Sequence, residues 1–153
     1  RTLAKMLDAV DVTDSELVLD VGSGYGYSAA IIAHLAEAVV ALESEDKPFN
    51  EMQNALIDHG IDNVIVERGP LFCGAASHAP YDVIFIQGGV ELIPNEILTQ
   101  LKEGGRIVAI FMQGSLGSVK IGYKLNNEVS WRFAFNAGAP VLDGYKKEMT
   151  FTF

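Results

Sequence analysis

The stretch LVLDVGSGYGYSAA, Leu17 to Ala30, runs an apolar strand into an acid, Asp20. Glycines then stand at 22, 24 and 26, followed by small residues at helical spacing. A buried strand, a bare turn and a helix in that order open a β-α-β unit. Working outward, apolar runs and amphipathic stretches alternate along the chain. Thr2–Val10 reads as a helix, Ala38–Glu43 as a second strand, and Asp46–Gly60 as a helix with Pro48 in its first turn and Gly60 as its stop. Asn63–Gly69 and Tyr81–Gly89 read as further strands, Asn95–Gly105 as a helix and Arg106–Met112 as a fifth strand.

Strands separated by helices require crossover connections, hence a parallel sheet covered on both faces. After Met112 the pattern changes. Val119–Leu125 and Glu128–Phe135 flank Asn126–Asn127, the signature of a hairpin that closes the sheet with antiparallel strands. The tail from Asn136 reads as a loop and a short terminal strand. The expected architecture is a doubly wound, Rossmann-like α/β sheet of about seven strands, mostly parallel, in one domain spanning 1–153.

Composition narrows the function. The 153 residues carry 11 Lys and Arg against 20 Asp and Glu, a net charge of −9, with no basic cluster. That argues against nucleic acid, whose binding relies on Lys and Arg neutralising phosphates. No apolar run approaches the ~20 residues that span a bilayer. One cysteine, Cys73, excludes an internal disulfide and fits a reducing, cytoplasmic setting. The three histidines show no metal-ligand spacing.

In an open parallel sheet the ligand lies beyond the carboxyl ends of the strands, where strand order reverses. Gly22, Ser23 and Gly24 would occupy that crevice, because Gly22 and Gly24 lack the Cβ that would block close approach. The second strand ends in Glu43, placed to accept hydrogen bonds from a ribose diol. Nicotinamide cofactors ask for the same acid, but their fingerprint wants Gly or Ala where this chain has Tyr27. Asp20, directly before the loop, suits an amino group better than a pyrophosphate. S-adenosyl-L-methionine fits this set of residues better than a dinucleotide.

The segments VLDVGSGYGYSAA, VVALE, GIDNVIVERGP, APYDVIFIQGGVELIP and LTQLKEGGRIVAI, between about Leu17 and Ile110, resemble the core of protein-L-isoaspartate O-methyltransferases. The resemblance implies the class I methyltransferase fold. It also implies methylation of isoaspartyl carboxylates in damaged proteins, with S-adenosyl-L-homocysteine as by-product. Carried over by position, Gly22, Ser23 and Gly24 would hold the methionine end and Asp20 its amino group. Glu43 would hold the ribose, Ser44 would lie beside the adenine, and Leu71 would pack on the adenine face. Gln87 and Gly88 would border the methyl-transfer centre.

Two departures stand out. The family usually carries an acid in a Gly-Asp-Gly turn that binds the adenine amino group; here Gly69, Pro70 and Leu71 stand in its place. The family also carries a Ser/Thr-bearing substrate loop ahead of its first core helix, and the sequence given starts at about that helix. No catalytic base is assigned, because an ionised carboxylate is already a nucleophile and in-line transfer depends mainly on positioning.

Other conspicuous residues have plainer readings. Tyr25 and Tyr27 read as packing residues, His34 and His59 as solvated, and His78 as a surface histidine. Cys73 reads as an inert loop thiol, Asp82 as structural, and Trp131 and Phe133 as core positions of the hairpin. Two alternatives to protein repair stay open. A small-molecule methyltransferase of the precorrin type is favoured by Gln87-Gly88-Gly89 in place of a Thr-Ala-Ala-type stretch. A non-catalytic S-adenosylmethionine-binding protein is favoured by Pro70 and the missing upstream loop. Oligomeric state is not legible.

Overall fold

The structure, a computed structural model, describes residues 1–148. Its elements are α1 (Thr2–Val10), β1 (Leu17–Val21), α2 (Tyr27–Ala33), β2 (Ala38–Glu43), α3 (Asp46–Asp58) and β3 (Val64–Arg68). Two 3-10 turns, Leu71–Cys73 and Ala76–His78, lead to β4 (Tyr81–Val90), α4 (Asn95–Thr99), β5 (Leu101–Gln113), β6 (Leu116–Leu125) and β7 (Glu128–Asn136). Seven strands form one sheet in the order β3-β2-β1-β4-β5-β6-β7. The first five run parallel, while β6 and β7 are antiparallel to their neighbours.

The near-continuous apolar runs of β1, β2 and β4 follow from burial on both faces. Val18, Val39, Val83 and Phe85 point into a layer shared with α1, α2 and α3. Leu19, Val40, Ile84 and Ile86 point into the opposite layer, which Tyr81 and Tyr145 complete. Each such side chain, fully removed from water, contributes roughly 1.5–3 kcal/mol.

The hairpin turn falls at Asn126–Asn127, both with positive φ (53° and 64°), as the primed turns of tight hairpins require. Asp82 is structural: its Oδ2 accepts the Leu17 N–H at 2.9 Å, tying the start of β4 to β1.

Two expectations need correction. The helix over Asn95–Gly105 stops at Thr99, and Leu101 already pairs with Tyr81 in the sheet. The Lys124 ammonium donates to the carbonyls of Leu98 (2.9 Å) and Leu101 (2.8 Å), terminating α4 early. A Cβ on Gly105 would lie 2.7 Å from the Lys102 carbonyl, so the glycines serve a tight loop within the strand and not a helix stop. Phe133 is no core residue; it is 61% exposed, while Trp131 packs edge-on against Phe111 at 4.7 Å. The tail is the expected loop as far as it is described, and it is pinned to the sheet. Ala139–Lys147 straps across the end of β4: Gly89 N–H donates to the Pro140 carbonyl, Leu142 N–H to Gly89, and Glu91 N–H to Tyr145. The terminal strand expected at the chain's end lies outside the described residues.

Candidate functional site

Strand order reverses between β1 and β4, because the chain moves outward through β2 and β3 before returning beside β1. The ends of these parallel strands bring Asp20, the Gly22–Gly26 loop, Glu43, Gly69–Leu71 and Gln87 to one edge of the sheet.

Asp20 is wholly buried. Its Oδ2 accepts from Ser23 Oγ (2.8 Å) and Ser28 Oγ (2.6 Å), and its Oδ1 from Gln87 Nε2 (2.8 Å). Burial raises this carboxyl above its ordinary 3.8, opposed by the hydrogen bonds from Ser28, Gln87 and Ser23. No cation neutralises it among the described residues. Asp20 thus organises the loop from behind.

Glu43, 6% exposed, accepts the Gly24 N–H at 2.8 Å through Oε1 and the Glu45 N–H at 2.9 Å through Oε2. A carboxylate has about four acceptor positions, so capacity remains for two hydroxyl donors. Gly24 has φ +57°, and nothing lies within 4 Å of where a Cβ would stand. Half-buried backbone thus borders open space at Gly24. Gly26 is different: a Cβ there would lie 2.7 Å from Met52 Cγ, so this glycine lets α2 pack against α3.

Beyond β3, Ser44, Arg68, Gly69 and Pro70 line an open cleft of about 340 Å³. Leu71 stands next to it, with Cδ1 3.8 Å from the Cβ position of Gly22. Tyr145 donates its hydroxyl to the Leu71 carbonyl at 2.8 Å, and Gln100 donates Nε2 to Cys73 and accepts from the Ala75 N–H. Burial pushes the Tyr145 phenol up, with a smaller contribution from Cys73, so it remains a neutral donor. A flat group entering the cleft would meet Ser44, Arg68, Gly69 and Pro70, with no acid among them.

The structure therefore brings Asp20, Gly22, Ser23, Gly24, Glu43, Ser44, Gly69, Pro70, Leu71 and Gln87 together. Ser28, Gln100 and Tyr145 were not foreseen. Ser28 was recoverable, since a hydroxyl in the first turn of the helix after the loop faces the preceding acid. Tyr145 lies 74 residues from its partner and carries no local signal.

The packing reading of Tyr25 and Tyr27 is corrected: they are 54% and 77% exposed. Both line an apolar groove of about 470 Å³ between α2 and α3, with Ile31, His34, Leu56 and His59. Asp20, Glu43 and Gln87 do not line this groove, so the chemistry belongs to the strand ends. His34 and His59 are exposed, and His78 Nε2 pairs with Glu67 Oε1 at 2.9 Å. Among the described residues no three His, Cys, Asp or Glu side chains cluster as metal ligands, and no helix is long and apolar enough to cross a membrane.

An open sheet in this order, with a glycine loop after β1 and an acid at the end of β2, defines a class I methyltransferase domain. A solved protein-L-isoaspartate O-methyltransferase superposes over 94% of this chain and 47% of its own, with TM-score 0.87 and 27% identity. A Plasmodium falciparum structure titled as a putative enzyme of that kind in complex with S-adenosyl-L-homocysteine gives TM-score 0.76 over 92% of this chain and 71% of its own, at 18% identity. The family model for protein-L-isoaspartate(D-aspartate) O-methyltransferase matches residues 1–131, and the chain belongs to that family. Protein-L-isoaspartate O-methyltransferase 2 of Polaromonas is 41% identical over 69% of this chain and 50% of its own length. The Helicobacter pylori protein-L-isoaspartate O-methyltransferase is 30% identical over 94% of this chain and 69% of its own. The chain spans about half the length of most of the curated relatives it matches.

Proposed function

We propose that this chain is the donor-binding core of an S-adenosylmethionine-dependent O-methyltransferase that acts on isoaspartyl carboxylates of damaged proteins or peptides. The observation that carries the reading is the Glu43–Gly24 contact: a strand-end carboxylate held beside an open stretch of glycine backbone. When bound, the donor supplies a methyl group on a positively charged sulfur. Glu43 holds two hydroxyls, Ser44, Gly69, Pro70 and Leu71 enclose a flat base, and Gly22–Gly24 offer main chain to the amino-acid end. Asp20 supplies negative potential behind that loop. The isoaspartyl carboxylate is ionised at neutral pH and needs no base, so positioning is the chain's contribution, worth roughly 7–11 kcal/mol in well-oriented systems. The single, half-buried Cys73 supports a reducing, cytoplasmic setting.

The small-molecule alternative rests on Gln87-Gly88-Gly89, and the structure supplies another reason for the two glycines. A Cβ on Gly88 would lie 2.5 Å from Leu142 Cδ2, and one on Gly89 2.5 Å from the Ala139 carbonyl. These glycines admit the strap. The test uses the full-length polypeptide, labelled donor, an isoaspartyl peptide and its aspartyl twin. Label is expected on the isoaspartyl peptide alone. Bound S-adenosylhomocysteine without transfer to either peptide would overturn the substrate assignment, and absence of binding the donor assignment.

A further inference from the structure

Asp143–Gly144 is the one place in the 153 residues where Asp or Asn precedes Gly. It occupies the centre of a turn closed by the Tyr145 N–H donating to the Leu142 carbonyl at 3.1 Å. Gly144 has φ +84°, and a Cβ there would lie 2.4 Å from Phe72 Cδ2. The fold therefore requires glycine after Asp143, both for the left-handed backbone and for the close approach of Phe72. Asp143 is exposed, and neither its carboxylate nor the Gly144 N–H has a hydrogen-bond partner among the described residues. An amide nitrogen without a hydrogen-bond partner thus follows a free carboxyl in an exposed turn.

We propose that Asp143–Gly144 is a modification site of this chain: the pair isomerises, and its isoaspartyl form is a methyl acceptor for enzymes of this family. The acceptor half rests on the function proposed above. In the first step the Gly144 nitrogen bonds to Asp143 Cγ. One carboxyl oxygen leaves as water, with the amide proton and a proton taken up by the carboxylate, and a five-membered succinimide remains. Water then opens the ring at the Asp143 main-chain carbonyl, so the chain runs through the side chain and the net composition is unchanged. The inserted methylene lengthens the backbone inside a turn held from both sides. The Leu142 N–H is bonded to Gly89, and the Tyr145 carbonyl accepts from Glu91 (2.8 Å) and Leu92 (3.2 Å). Tyr145 also fixes Leu71 beside the proposed donor cleft. Isomerisation therefore strikes the strap that braces the chain's own site.

The full-length polypeptide and its Asp143→Glu variant are aged at neutral pH, digested, and fragmented by electron transfer, which separates isoaspartyl from aspartyl backbones. The glutamate variant keeps the charge on an exposed side chain but would have to form a six-membered ring. The expected result is isoaspartate at position 143 in excess of that at Asp14, which precedes Ser15 in another exposed turn. Accumulation no greater at 143 than at Asp14 would overturn the proposal. Aged chains are then given labelled donor with fresh chain and, separately, with the Helicobacter pylori relative. Label on the 143 peptide, lost in Asp143→Glu, supports the acceptor half. An unlabelled 143 peptide, with an isoaspartyl control peptide labelled in the same tube, overturns it. If fresh chain labels neither while the relative labels both, the functional reading fails and the modification site stands.

Discussion

Gln87 Nε2 donates to Asp20 Oδ1 at 2.8 Å, so a side chain in the second half of β4 supports the acid one residue before the end of β1. Two strands on either side of the topological reversal are thereby fixed to each other through one buried carboxylate.

That relationship gives donor binding a pH dependence with a definite sign. Burial raises Asp20 in the folded chain above 3.8, so folding favours its protonated form. Its contribution to stability is present in full below 3.8 and is lost as pH rises through the folded value. A ligand ammonium nearby favours the ionised form, so affinity for S-adenosylhomocysteine should fall as pH drops through that same window. Removing one donor with Gln87→Leu should move the fall to higher pH, and Asp20→Asn should flatten it. Calorimetric titrations across pH decide it; superimposable profiles for all three proteins would show that Asp20 does not sense the ligand.

Glu43 carries a simpler prediction. Its two oxygens already hold the Gly24 and Glu45 amides. Glu43→Ala should weaken S-adenosylhomocysteine by about 10- to 100-fold, matching the ~1.5–3 kcal/mol of hydrogen bonds to a charged group. Glu43→Gln should fall between, since one oxygen survives while an amide faces the Glu45 N–H. Equal affinity of wild type and Glu43→Ala in the titration would remove the ribose assignment.

The strap can be tested by overpacking. Gly88→Ala places a methyl group 2.5 Å from Leu142 Cδ2 and should destabilise the chain by about 1–3 kcal/mol. Combining it with Leu142→Ala should recover part of that loss, a coupling on the order of 0.5–3 kcal/mol for touching residues. Denaturant unfolding of the wild type, the two single variants and the double variant measures it, and strict additivity would mean that the strap does not lie on Gly88.

Much of this was legible because the information is local. The apolar run Ala38–Glu43 located β2 to the residue, and two adjacent asparagines marked the hairpin turn. The acid and glycines after β1 mark a site because a strand end, a tight turn and a helix start are fixed within ten residues. What escaped was long-range. Leu98 and Leu101 keep helical spacing, yet Lys124, from a distant strand, ends α4 at Thr99. Gly88 and Gly89 read as a substrate signal because Leu142 and Ala139, which make them necessary, lie about fifty residues away. Tyr25 and Tyr27 have the composition of core residues, but the glycine loop leaves Tyr25 exposed and the first position of α2 leaves Tyr27 exposed.

The clamp between α1 and the sheet yields the last prediction. Arg106 donates Nε to the Val10 carbonyl at 2.7 Å and grips both Glu16 oxygens at 2.9 Å, with only 19% and 15% of the two side chains exposed. The hydrogen bond from Arg106 holds the Glu16 carboxyl below its ordinary 4.5, against a smaller opposing effect of burial. A lowered folded value means that this contribution is present above 4.5 and is lost as pH falls through the folded value. Wild type should therefore lose stability on acidification more steeply than Glu16→Gln, which has no charge left to titrate there. At neutral pH Arg106→Lys should cost about 1.5–3 kcal/mol, because an ammonium cannot reproduce the forked, two-point contact and the bond to Val10 together. Thermal unfolding followed at a series of pH values supplies both comparisons, and parallel acid profiles for wild type and Glu16→Gln would show that the clamp is not held by charge.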